Sequence, residues 1–135
     1  MMRHLIQLSI ATMLLASCMG CAQLSIRMNI ESALDSLRLL RVAEDSYRVK
    51  LEHHRYGTLE ELYNAGLIDA ELGSGTKAGY RFKLVPLETS FRVTASPIQY
   101  GRTGDWSFYL DESGVIRGQT SNRESNAQDP PIGKQ

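Results

Sequence analysis

The sequence predicts an α+β domain in which one long amphipathic N-terminal helix packs on a small antiparallel sheet of about four strands. Apolar residues recur every three or four positions across residues 23–54, which is the period of a helix. Apolar and polar residues alternate in the second half of the chain, as they do in half-buried strands. A helix stripe and a sheet face each need an apolar cover, and packing one on the other satisfies both.

The long helix is expected to have one apolar stripe and one charged face. The stripe consists of Ile26, Ile30, Ala33, Leu37, Leu40, Tyr47 and Leu51. Charged residues at three- and four-residue spacings occupy the other face, namely Asp35, Arg38, Arg41, Glu44, Asp45, Arg48 and Glu52. Because such pairs suit exposed helix positions, the sequence predicts that this face, Glu44 included, is solvated.

Two short segments connect this helix to the strands. Thr58 and Glu61 have the spacing of a capping box, so a short helix is expected over residues 59–65. Gly66 suits the left-handed position that ends it. Residues 71–79 hold three glycines without the spacing of a phosphate-binding loop, which predicts a flexible connector.

Strands are expected over residues 80–84, 91–95, 106–110 and 115–117, with a tight turn at residues 111–114. Aromatic residues that alternate on strands facing a helix are core residues more often than a ligand-stacking surface. We therefore expect a core role for Tyr80, Phe82, Trp106 and Phe108. Residues 119–135 are polar and have little to bury, which predicts a disordered tail.

The first residues have the features of a bacterial export signal. Arg3 and His4 precede an uncharged apolar run, residues 5–16, that is too short to span a hydrocarbon core of roughly 30 Å. A secretory signal is the preferred interpretation, and its end, residues 15–18 (LASC), resembles the lipobox of bacterial lipoproteins. The thiol of Cys18 would receive the diacylglyceryl group, with Cys21 as the fallback acceptor. An ordinary signal peptide, or a short buried helix ending in cysteine, is the alternative.

Lipidation at Cys18 divides the chain into four parts. Residues 1–17 are the expected signal peptide, residues 18–22 a lipidated tether, residues 23–118 the globular domain and residues 119–135 the tail. Two or three acyl chains would hold the protein firmly to a bilayer. Met19, rather than Asp, follows the acceptor, and by analogy with lipoprotein sorting this predicts an outer-membrane location facing the periplasm.

Composition and spacing argue against several classes of function. Fifteen basic residues balance 15 acidic ones, so there is no electrostatic basis for a nucleic-acid partner. An envelope hydrolase is the enzymatic alternative, and its candidate groups are Ser96, Ser107, Ser113, His53, His54, Asp105 and Asp111. No local motif links these groups, so we predict no catalytic residue, no cofactor and no small-molecule substrate.

Several motifs occur together in a familiar order. They are YGTLEELYNAGLID at residues 56–69, the Gly79-Tyr80 turn, FRVTASP at residues 91–97 and SFYLDESGVIR at residues 107–117. With the preceding amphipathic helix, they resemble the globular domains of type IV pilin-like proteins, above all the major pseudopilins of type II secretion. The resemblance covers roughly residues 30–117 and implies a pilin-like fold.

The chain departs from this family at its N-terminus. Filament subunits of the family carry a prepilin cleavage glycine followed by an apolar segment that builds the filament core. Here residues 23–44 include Arg27, Glu31 and Asp35, which would be costly inside a membrane or an apolar filament axis. A lipidated cysteine therefore takes the place of the polymerising segment.

The resemblance also raises the question of calcium. Major pseudopilins bind calcium in loops near their C-terminal end, and Asp105, Asp111 and Glu112 lie in the corresponding region. These three acids are the metal candidates. The alternative is that they serve turn geometry, the usual role of acids in hairpins.

Together these observations predict a membrane-anchored lipoprotein that presents a pilin-like domain for structural or protein-interaction roles in the cell envelope. An envelope or secretion-system protein is the expected partner, bound by an edge strand or by the outer helix face. The alternative is a minor pilin or pseudopilin subunit of a filament.

Overall fold

The computed structural model describes the backbone of residues 2–50 and 54–133, and the side chains of residues 19–50 and 54–133. The long helix α1 spans Met2–Asp45 and continues into a π-helical turn, Ser46–Lys50. Two short helices follow, α2 (Leu59–Asn64) and α3 (Ala70–Gly73). The strands are β1 (Thr76–Lys77), β2 (Tyr80–Pro86), β3 (Phe91–Pro97), β4 (Ser107–Asp111) and β5 (Arg117–Gln119).

The five strands form one antiparallel sheet in chain order, β1-β2-β3-β4-β5. Each strand pairs with its sequence neighbour, so the sheet is a meander of hairpins. The register places Phe82 opposite Ala95 and Val93 opposite Leu110. The predicted α+β layout, a long helix on a small antiparallel sheet, is confirmed.

The core lies between α1 and one face of the sheet. Leu37 and Leu40 of the predicted helix stripe are fully buried, and Tyr47 is 4% exposed. The sheet contributes Tyr80, Phe82, Phe91, Val93, Ala95, Phe108 and Leu110. Full burial of each large apolar side chain contributes about 1.5–3 kcal/mol, so this interface is the main source of stability. Leu51 of the predicted stripe lies outside the described residues.

The segment predicted as a flexible connector is structured. Asp69 caps α3 by accepting a hydrogen bond from the Leu72 backbone N–H at 2.8 Å, and its other oxygen contacts Lys77 Nζ at 2.5 Å. β1 then pairs with β2. A four-residue helix and a two-residue strand are too short to produce a periodic pattern, which is why the sequence did not reveal them.

The last strand and the tail also differ from the prediction. β5 begins at Arg117, two residues later than expected, and residues 130–132 run beside it. Ile132 N–H donates to the Ile116 carbonyl at 2.8 Å, and Gly118 N–H donates to the Pro130 carbonyl at 3.1 Å. The polar segment therefore covers the outer edge of β5, where it replaces a missing neighbouring strand.

Residues 120–129 are held mainly by one buried carboxylate rather than by apolar contacts. Asp129 is 6% exposed and accepts hydrogen bonds from Arg123, from the Ser125 hydroxyl at 2.7 Å and from the Asn126 N–H at 2.8 Å. The Arg123 guanidinium holds the pKa of Asp129 well below its ordinary value. Composition alone pointed to disorder because it does not register such a network. Residues 134–135 of the predicted tail lie outside the described residues.

Candidate functional site

The lipidation candidates lie near the exposed N-terminal part of α1. The Cys18 side chain lies outside the described residues. Cys21 has a free, exposed thiol, and residues 19–25 are all exposed. Ile26 is the first buried residue in the described part of α1. The helix therefore begins to pack on the rest of the domain at Ile26. In the part of the chain that the structure describes, no helix combines the length and apolar character needed to cross a membrane.

The calcium candidates are not gathered into one cluster of three acids within the described residues. Asp111 Oδ1 accepts hydrogen bonds from the Ser113 N–H at 3.0 Å and from the Ser113 hydroxyl at 2.5 Å, which stabilise the hairpin turn. Asp105 lies near the buried Tyr80 hydroxyl, and its charge adds to the effect of burial in raising the Tyr80 pKa. Among the described residues, no three His, Cys, Asp or Glu side chains are placed to hold a metal ion together.

The groups of the enzymatic alternative are likewise not assembled. Ser107 is buried, the Ser96 hydroxyl is buried without a described partner, and Ser113 donates to Asp111. His54 is exposed and forms no hydrogen bond to a serine within the described residues, and His53 lies outside them. Among the candidate groups that the structure describes, no serine is therefore paired with His54.

A cleft of about 920 Å³ lies between α1 and the end of the sheet, hereafter the Trp106 cleft. Its apolar lining consists mainly of Ile30, Leu34, Trp106, Phe108, Ile116 and Ile132. A volume of several hundred Å³ with an apolar, aromatic lining is typical of binding sites. The sequence predicted that Tyr80, Phe82, Trp106 and Phe108 are core residues. Tyr80, Phe82 and Phe108 are buried in the core, as predicted. Trp106 is half-buried and lines the cleft.

Hydrogen bonds hold the walls of the Trp106 cleft in place. The buried Tyr80 hydroxyl donates to the Trp106 carbonyl at 2.8 Å, and the Trp106 ring stacks on Phe108 with ring centres 6.2 Å apart. On the opposite wall, the Ile132–Ile116 backbone bond ties the C-terminal segment to the β4–β5 loop. The cleft is therefore built by several elements and does not depend on one loose loop.

The charged residues of the cleft lie on α1. Glu31 has no ion-pair partner among the described residues, whereas the Arg38 guanidinium contacts Asp35 at 2.8 Å on the exposed surface. No serine, threonine, cysteine, histidine or lysine is among the described residues that line the cleft. Its surface can therefore bind an apolar group beside a charge.

A second feature that the sequence did not reveal is a buried acid at the end of α1. Glu44 is fully buried, so the prediction that it is solvated was wrong. Its Oε2 accepts a hydrogen bond from the Gly57 N–H at 2.8 Å, and its Oε1 has no described partner. Burial of the charge raises the Glu44 pKa to about 7, although the Gly57 bond opposes this shift.

The sequence does contain a signal that Glu44 is buried. The apolar stripe has a seven-residue gap between Leu40 and Tyr47. Glu44 lies four residues after the first and three before the second, which places it on the buried face of the helix. The gap in the stripe was therefore the available signal.

Comparison with known proteins finds no matching protein-family model, no matching curated protein and no matching solved structure. The resemblance to pilin-like domains stays a prediction.

Proposed function

We propose that this protein is a lipid-anchored protein of the bacterial cell envelope that presents its helix-on-sheet domain for contacts with another protein. The observation that carries the proposal is the Trp106 cleft, a mainly apolar and aromatic concavity bordered by Glu31 and Arg38. Half-exposed tryptophan beside aliphatic residues is typical of the sites where protein partners bind most strongly.

The anchoring part of the proposal rests on the sequence around Cys18. Residues 15–18 match the order of a lipobox, a leucine and two small residues before a cysteine. The exposure of residues 19–25 leaves room for a membrane surface next to that point. Each buried methylene of an acyl chain contributes about 0.8 kcal/mol, so two or three chains suffice for stable attachment.

Lipidation is tested by intact-mass and N-terminal peptide analysis of the protein purified from its host's membranes. We expect a mature chain that begins at an acylated Cys18. Cys18→Ser should abolish the acyl mass and release the protein from the membrane fraction, whereas Cys21→Ser should change neither. A chain that keeps Met1, or that is cut elsewhere without acylation, would contradict the anchor.

The binding role of the cleft is tested by photo-crosslinking in living host cells. A photo-reactive residue at position 115, which lines the cleft, should give a discrete adduct with a second protein. The same residue at position 63, which is exposed on α2 away from the cleft, is the matched control. Ile132→Glu places a charge in the apolar lining and should reduce the adduct at least tenfold, or about 1.4 kcal/mol. Equal adducts at positions 115 and 63 would argue against the cleft.

A further inference from the structure

The outward face of α1 carries a second set of apolar side chains that the described residues leave largely exposed. Leu24, Met28 and Val42 are 60%, 64% and 61% exposed, and Val49 of the π-helical turn is 70% exposed. Apart from Met19, every other exposed large apolar side chain in the described part of the chain is at most 47% exposed. The most exposed apolar groups of the domain therefore lie together on one helix.

Leu24, Met28 and Val42 belong to a regular pattern, hereafter the outer stripe, and Val49 follows it in the π-helical turn. Its members follow one another at alternating spacings of four and three residues, and all of them are exposed: Leu24, Met28, Glu31, Asp35, Arg38, Val42 and Asp45. This heptad spacing aligns side chains along one side of a helix, and two helices pack through such a stripe where its members are apolar, which here are Leu24, Met28 and Val42. The outer stripe lies on the side of α1 away from the buried stripe, and its Glu31 and Arg38 also border the Trp106 cleft.

We propose that the outer stripe binds the same stripe of a second copy of this chain, with the two helices antiparallel. A two-fold axis between positions 35 and 38 brings Asp35 of each copy against Arg38 of the other. The same register sets Leu24 near Val49, and it brings Arg27, beside the stripe, within reach of Asp45 of the second copy. Opposite charges therefore face each other at the centre and near both ends, while Glu31 faces Val42 and Met28 faces Asp45 between them.

The charges also select the antiparallel orientation. In a parallel pair, each outer-stripe residue would face its own copy, so that Asp35 would oppose Asp35 and Arg38 would oppose Arg38. Such like-charge contacts disfavour an interface by up to several kcal/mol. Within one chain, Arg38 and Asp35 already form an exposed pair at 2.8 Å, so both groups are at the surface where a second copy would meet them.

This pairing does not require the proposed envelope function, but it uses Glu31 and Arg38, which also line the Trp106 cleft, and it limits how two anchored copies can lie. In an antiparallel pair, the two N-terminal helix ends point in opposite directions. If both chains are lipidated at Cys18, both anchors reach one bilayer only when the helix pair lies along the membrane surface. A soluble or differently anchored chain could form the same pair.

The test is the mass of the full-length chain in detergent solution, measured by sedimentation equilibrium over a range of protein concentrations. We expect the unmodified protein to form a dimer. Arg38→Asp places acid against acid across the axis and should raise the dimer dissociation constant at least tenfold. The double exchange Asp35→Arg/Arg38→Asp restores opposite charges and should return the dissociation constant to near its original value.

Two further variants separate the interface from the fold. Val42→Glu sets acid against Glu31 of the second copy and should weaken the dimer, whereas Val85→Glu, on the sheet, should leave it unchanged. Circular dichroism establishes that each variant is folded. A protein that is monomeric at all concentrations overturns the proposal and leaves the outer stripe to a lipid surface or to a different protein. A dimer insensitive to Arg38→Asp, or a double exchange that does not restore it, overturns it as well.

Discussion

Replacing Gly104 with alanine is expected to destabilise the protein by about 3 kcal/mol or more. A Cβ at this position would lie 2.7 Å from Cζ of Tyr80 and closer still to its hydroxyl oxygen. Real Cβ atoms essentially never approach a neighbour that closely, so either the loop or the ring must move. Overpacking of this kind costs typically about 1–3 kcal/mol before any hydrogen bond is lost.

The Tyr80 ring cannot move aside without disturbing the core. It is fully buried, its centre lies 6.1 Å from that of Phe108, and its hydroxyl bonds the Trp106 carbonyl at 2.8 Å. Displacing it would break that bond and leave polar groups unsatisfied, at a cost of about 1–3 kcal/mol. Because the same bond positions Trp106, the substitution should also disturb the Trp106 cleft.

Chemical denaturation followed by circular dichroism measures the effect. Tyr80→Phe removes the atom nearest to the new methyl group, so the Gly104→Ala/Tyr80→Phe double variant should be more stable than the sum of the single changes implies, by about 1 kcal/mol. Gly20→Ala is the matched control, since nothing lies within 4 Å of that position. An unchanged unfolding midpoint for Gly104→Ala would mean that the loop does not pack on Tyr80 as described.

Glu44→Gln is expected to raise the free energy of unfolding by about 1–3 kcal/mol at about pH 8, on the scale of 1.36 kcal/mol per pKa unit. Burial disfavours the ionised carboxylate, and Glu61 and Asp45 add repulsion, so the folded protein holds the Glu44 pKa at about 7 rather than 4.5. Glutamine keeps an oxygen that can accept the Gly57 N–H bond, and it carries no charge to bury. The variant therefore removes the unfavourable ionisation and keeps the contact.

The sign of the pH dependence follows from the raised pKa. Below about pH 4.5, Glu44 is protonated in both the folded and the unfolded chain, and its contribution to stability is fully present. As the pH rises through about 7, the unfolded chain has already released the proton that the folded chain still holds, so stability falls. The glutamine variant should lack this decline. The pKa of Glu61 is instead lowered from 4.5 to about 2. The contribution of Glu61 to stability therefore changes below about pH 4.5, outside the range in which Glu44 acts.

Thermal or chemical unfolding at several pH values between about 5 and 8 tests this prediction. Glu60→Gln, an exposed acid on α2, is the control that removes the same charge without changing a buried group. If the Glu44 and Glu60 variants show the same pH profile as the unmodified protein, then Glu44 is not buried as a neutral acid.

Much of the fold was predictable because it depends on interactions between residues close in sequence. The capping box is an example: the Thr58 hydroxyl accepts from the Glu61 N–H at 3.2 Å, and Glu61 accepts from the Thr58 N–H at 2.9 Å. Gly66 has a φ of 73°, as the end of a short helix requires. The spacing of apolar residues in α1, and the alternation of apolar and polar residues in β2 and β3, likewise predict which faces are buried.

The candidate site was less predictable because it depends on what residues meet across the fold. Trp106 has the alternating position of a core residue, and only its place at the end of the sheet beside α1 leaves it half-exposed. The residues that complete the Trp106 cleft, Leu34 and Ile132, are far apart in the chain. No spacing rule brings them together.

The sequence by itself determined the helix-on-sheet class, the cap, most strand positions and the expectation of an N-terminal lipid anchor, since each follows from short-range patterns of apolarity and turn chemistry. The tertiary structure decided the burial of Glu44, the exposure of Trp106 and the packing of the polar C-terminal segment around Asp129. The physical reason is that the cost of burying a charge and the gain from a hydrogen-bond network depend on partners distant in the chain.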